Sequence, residues 1–211
     1  MYHSLNLNIE ALTDKIAEID DVTAYIQLRS QLADGVASVT AMYQKRYRHY
    51  WRMNAARLSE SFYSRYFALL SERIASGEVD VEAVARDLSQ IEIRGRQSLQ
   101  FSFATKLAHM VNPHLPVYDS FVAAFYFYEG SLAGGLLEDR LRAHLAFYEF
   151  LRTEYARVLG CGLLAASIQR FRTRFPSTDG ICDERVIDWL LWSWVSLIRS
   201  GAQRLGECLY A

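Results

Sequence analysis

Leu99-Gln-Phe-Ser-Phe-Ala-Thr-Lys106-Leu-Ala-His-Met-Val111-Asn-Pro-His-Leu-Pro116-Val-Tyr-Asp119-Ser-Phe-Val122 is the stretch whose reading decides the fold. Its first half, residues 99–111, is an apolar run long enough for three helical turns and interrupted by one lysine. Asn112-Pro113 ends it, because proline pushes the residue before it out of helical geometry. Pro113 and Pro116 bracket a turn. Asp119 or Ser120 then stands where an N-cap belongs, ahead of a helix starting near Phe121.

The same punctuation extends in both directions. Ile9, Leu12, Ile16 and Ile19 recur at helical spacing, and Asp20-Asp21 closes that helix or caps the next, which runs through Tyr25 and Leu28. A longer helical region covers about 36–75, with Asn54 as its break and a restart near Ser59. Gly77 ends it, and Asp80 caps a short helix with Val81, Val84 and Leu88 on its apolar face. Residues 131–135 read as a loop. Further helices are expected over 136–159, 163–175 and 183–210. No clean alternation bounded by hairpin turns marks a strand. The expectation is an all-α, compact multi-helix bundle of seven to nine helices, one domain over residues 1–211 with 1–95 and 96–211 as its sub-lobes.

Composition narrows the function classes. The 211 residues are 51% hydrophobic with a formal net charge of −1, so the chain can bury a large core and is no polycation. Any nucleic-acid surface must be a local patch. Cys161, Cys182 and Cys208 are odd in number and form no CxxC pair, which points to reduced thiols rather than disulfides or zinc. Residues 1–10 lack a signal-peptide pattern. The apolar run 189–198 is too short to span a bilayer, so a cytoplasmic protein with no membrane partner is expected. Walker, GxGxxG, GxSxG and zinc-deaminase signatures are absent from the sequence.

Only three lysines stand against twenty arginines. Lys15 lies among acidic residues and Lys45 in a basic run. Lys106 lies among Phe101, Phe103, Ala104, Leu107, Ala108 and Met110. An apolar setting penalises the ammonium and makes the free amine a better nucleophile. Alternatively, the lysine runs its methylenes along the core and reaches water. Asp119 also reads two ways, as an ordinary cap or as a carboxylate that takes a proton or stabilises cationic charge on a sugar.

Taken together, Thr105-Lys106-Leu107 and Pro116-Val117-Tyr118-Asp119 resemble the helix-hairpin-helix DNA glycosylases, closest to bacterial proteins with an 8-oxoguanine DNA glycosylase-like fold. The resemblance covers about twenty residues of the chain. It implies a glycosylase-like bundle, with Lys106 as the Schiff-base nucleophile at sugar C1′. Asp119 would activate that amine, or a water, and stabilise the oxocarbenium-like transition state. DNA is the implied partner and excision of a damaged or modified base the implied reaction, with no cofactor. Ser102-Phe103-Ala104 stands where a full hairpin carries Gly-x-Gly, and the step from Lys106 to Asp119 is shorter than usual in the established enzymes. The missing glycines favour a rival reading, a non-catalytic nucleic-acid-binding protein of a mobile element or defence system.

Residues 42–58 contain no acid but carry Lys45, Arg46, Arg48, Arg52 and Arg57, interleaved with Tyr43, Tyr47, Tyr50 and Trp51. That mixture suits phosphate pairing with base stacking, or a helix with an aromatic core face and a solvated basic face. Arg94 and Arg96 would extend such a patch. His109, three residues after Lys106, and Tyr118 are further cleft candidates, although His109 also reads as a satisfied core histidine. His114 is expected to be exposed. Neither histidine has a second histidine or acidic partner at ligand spacing, so no metal site is expected. Trp189, Trp192 and Trp194 would fill the core. An exposed share of them would make a homodimer interface, which leaves a purely structural helical module as a third reading.

Overall fold

The computed structural model describes residues 1–33, 35, 39–130 and 135–201. Eleven α-helices and one two-stranded hairpin are found among them, so the protein is all-α. The helices are α1 Tyr2–Leu7, α2 Ile9–Glu18, α3 Asp21–Ala33, α4 Ala41–Tyr50, α5 Glu60–Ser76, α6 Val81–Ser89, α7 Phe101–Val111, α8 Ser120–Phe125, α9 Leu137–Gly160, α10 Ala165–Arg174 and α11 Asp183–Arg199. No helix among the described residues is long and apolar enough to cross a membrane.

Most boundaries follow local chemistry. Side chains of Thr40, Ser59 and Asp80 accept hydrogen bonds from the first-turn amides of α4, α5 and α6. Gly77 ends α5 in the left-handed conformation, its N–H returning to the Arg73 carbonyl. The region 36–75 breaks at Asn54 and restarts after Ser59, as expected, giving α4 and α5. The chain between them turns through a 3-10 segment, Met53–Ala56, flanked by Arg52 and Arg57 at positive φ. Two differences from the expectation concern short elements. Helix α1 precedes the first apolar repeat. Strands β1 (Glu92–Ile93) and β2 (Arg96–Gln97) pair antiparallel across Arg94-Gly95, both at positive φ. Strands of two residues are too short for alternation to show in sequence, and positive φ at both turn residues matches the tight hairpin geometry. The expected extension of α11 to 210, with Cys208, and most of the loop 131–135 lie outside the described residues.

Helix α11 lies centrally, against α8 and α2 and also against α9 and α10. Trp189 stacks on Phe171 and meets the Tyr25 ring edge-on, with centroids 5.4 Å away in each case. Trp194 is also buried, whereas Trp192 is only partly covered. Helix α7 packs against α5 and α6. From there its C-terminal end leads into the turn that returns the chain to α11.

Candidate active site

Three anchors hold the 112–119 turn. Thr105 Oγ1 on α7 accepts from the Tyr118 amide at 3.1 Å. The buried His109 ring bonds the Leu115 carbonyl at 2.7 Å through Nδ1 and the Tyr25 hydroxyl at 2.8 Å through Nε2. Asp188 on α11 accepts from the Val117 amide at 3.3 and 3.4 Å. Burial, assisted by Arg185, pushes the His109 imidazole down to about 3, so it is neutral, and its Nδ1–H donates to Leu115. His109 therefore positions the turn and does not line the cleft.

The turn delivers Asp119 to the start of α8. Its Oδ1 accepts from the Phe121 and Val122 amides at 2.8 and 2.9 Å. Both candidate catalytic residues, Lys106 and Asp119, line the same cleft of about 380 Å³. Its walls include Tyr50, Trp51, Tyr118, Phe121 and Trp192, while Arg52 and Asp21 add charges of both signs.

Lys106 is half-buried. Its ammonium lies 5.1 Å from the Phe103 ring centroid and 5.7 Å from that of Trp51, and donates a long bond of 3.5 Å to the Trp51 carbonyl. Desolvation lowers its pKa; the Asp119 carboxylate opposes that shift, and the positive charges of Arg185 and Arg52 reinforce it. The amine is thus easier to deprotonate than a surface lysine while remaining electrostatically tied to Asp119.

Arg185 and Asp188 form the buried floor. The Arg185 guanidinium lies 4.5 to 5.1 Å from the ring centroids of Trp189, Tyr25 and Trp51, donates to the Tyr50 hydroxyl and sits 3.7 Å from Asp188. Asp188 accepts from the Tyr155 hydroxyl at 2.7 Å. Burial pushes its carboxyl up to about 7; Arg185 and Tyr155 pull it down, and Asp119 adds to the rise. The sequence reading missed this pair. Its signal was present as two opposite charges three residues apart, flanking Val186 and Ile187 and leading into the apolar run of α11.

The basic residues divide. Lys45 and Arg46 are exposed and line a second groove of about 740 Å³. This groove shares Asp21, Tyr50 and Arg52 with the cleft, so the two adjoin. Lys45, Arg46 and Arg52 make no ion pair among the described residues. Arg48 instead bonds Asn54 at 3.2 Å and lies over Tyr63. Arg94 and Arg96 are exposed on the hairpin and line neither groove. Tyr43, Tyr47 and Trp51 are buried, so of the two readings of this stretch the aromatic core face holds for α4, and of these aromatics only Tyr50 and Trp51 reach the cleft. Spaced four residues apart, Tyr43, Tyr47 and Trp51 face inward together and leave the intervening cations outside.

Contrary to the expectation from spacing, His114 does have acidic and thiol neighbours. Its Nδ1 lies 3.2 Å from both Glu184 carboxylate oxygens, with Cys182 close by. Comparison with known proteins gives no matching family model, no matching curated protein and no matching solved structure.

Proposed function

We propose that the protein is a DNA-binding protein of the DNA-glycosylase type, in which Lys106 and Asp119 excise a base held in the aromatic cleft. One observation carries the reading: a lysine with a lowered pKa and a helix-capping aspartate, thirteen residues apart, line one cleft of base-accommodating size. The exposed Lys45 and Arg46 and the junction residue Arg52 would pair with backbone phosphates along the adjoining groove. The target nucleotide would be flipped out of the stack and its base held among Trp51, Phe121 and Trp192.

In this scheme the C1′–N bond to the base breaks as the neutral Lys106 Nζ bonds C1′. Asp119 supports the cationic sugar, takes the proton released by the amine and passes it to the departing base, which leaves neutral. Opening of the sugar then gives an imine between Nζ and C1′.

Borohydride trapping on duplexes bearing damaged bases and abasic sites tests the scheme. The wild-type protein should give a covalent adduct that Lys106→Ala abolishes. An adduct that persists in Lys106→Ala would refute the assignment of the nucleophile. A second reading, binding without excision, is favoured by Ser102-Phe103-Ala104 in place of phosphate-gripping glycines. It predicts salt-sensitive DNA binding with no adduct from either protein.

A further inference from the structure

On the far side of the same turn, three metal-ligating side chains converge that take no part in the cleft. His114 Nδ1, Cys182 Sγ and a Glu184 carboxylate oxygen all lie within 4.8 Å of one another. None of the three lines the cleft. We propose that His114, Cys182 and Glu184 bind a divalent zinc-class ion that staples the proline-bracketed turn to the first turn of α11. This site is independent of the proposed base excision.

The donor set fits the ion. Imidazole nitrogen, thiolate sulfur and carboxylate oxygen are the ligands of borderline-soft zinc, whereas calcium and magnesium take oxygen alone. Tetrahedral bonds to such ligands set neighbouring ligand atoms about 3.3–3.7 Å apart. The His114–Glu184 spacing of 3.2 Å is already close to this. Closing the remaining gap asks the sulfur to shift by about 1 Å at most. Three protein ligands leave the fourth position for water.

Both ligand-bearing segments are held in place without the ion. Pro113 and Pro116 restrict the turn, and the His114 amide donates to Asn112 Oδ1 at 3.1 Å. Arg172 grips the other segment through the Thr178 and Ile181 carbonyls and the Asp183 carboxylate, at 2.5–2.8 Å. Cys182, the N-cap residue of α11, directs its thiol at the Pro113 carbonyl, 2.9 Å away. The sulfur thus already faces the segment that carries His114. The same two segments present Asp119, Arg185 and Asp188 to the cleft, so the staple would fix its geometry from outside.

The alternative is a plain histidine–glutamate pair beside a half-buried thiol. Titration of the chelator-treated full chain with cobalt(II), followed by zinc competition, separates the two. One equivalent should bind with a thiolate-to-cobalt charge-transfer band that zinc abolishes. Cys182→Ser should remove the band, His114→Ala should weaken binding at least about a hundredfold, and Cys161→Ser should change neither. His114 is exposed, so its replacement leaves the fold intact and keeps the test sound. Zinc at about a hundred times its Kd should also raise Tm by about 5–10 °C. Absence of stoichiometric binding, binding without the band, or a band that survives Cys182→Ser would each overturn the site.

Discussion

Asp80 and Asp119 do the same local job in different surroundings. Each precedes a helix in extended backbone conformation and accepts first-turn amides, Asp80 from Glu82 at 2.9 Å and Asp119 from Phe121 and Val122. Asp80 lies away from the cleft, at the N-terminus of α6. Asp119 lines it, with a half-buried ammonium within electrostatic reach. The capping bond is a local property, legible from an aspartate ahead of an apolar repeat. Chemistry at such an aspartate depends on what the rest of the chain brings opposite it.

The sharpest way to break this comparison is to remove charge while keeping the cap. Asparagine caps about as well as aspartate. Asp119→Asn should therefore lower the rate of adduct formation about a hundred- to ten-thousandfold with little change in Tm. A large loss of stability with unchanged adduct formation would reduce Asp119 to a second Asp80.

Asp188 extends the comparison to a fully buried aspartate. Its carboxyl is pushed up to about 7, above the unfolded value of about 3.9, so the folded state holds the proton more tightly. Its contribution to stability is complete below about pH 4 and lost as pH rises through 7. Between those limits one proton held only by the folded state tilts the stability–pH curve by at most about 1.4 kcal/mol per pH unit, and Asp188→Asn should remove that tilt. Denaturant melts of both proteins across pH 4–8 would measure it; an unchanged slope would place Asp188 outside the titrating set.

Smaller effects come from the surface. Lys45→Glu with Arg46→Glu should weaken DNA binding about tenfold and reduce the log–log salt slope by about two, in salt-dependent binding assays. Asp80→Ala should cost about 1 kcal/mol in denaturant melts and leave DNA binding untouched.

Helices with local punctuation were legible in the sequence. Asp80 and Gly77 bound their helices as expected, Asn112-Pro113 stops α7 after Val111, and Asp119 opens α8. Lys106 stood out because its sequence neighbours are apolar, although the sequence left open whether it is a nucleophile or a lysine that runs along the core to water. The hairpin was hidden by its two-residue strands. Pairings distant in sequence were hidden as well. The Val117–Asp188 bond and the His114–Glu184 contact join positions about seventy residues apart, and no local period encodes them. The aromatic residues of α4 were ambiguous for a different reason. Helical spacing tells that they share a face but not whether that face is covered.

The most direct test of the central claim needs no substrate. The chain has only three lysines, so lysine-labelled protein gives a resolvable NMR titration, assigned with Lys106→Arg. Lys106 should titrate below the ordinary lysine value of about 10.4, and Asp119→Asn should lower it further by removing the carboxylate that now opposes the shift. A Lys106 signal that titrates in the ordinary range and ignores Asp119→Asn would contradict a shared Lys106–Asp119 site.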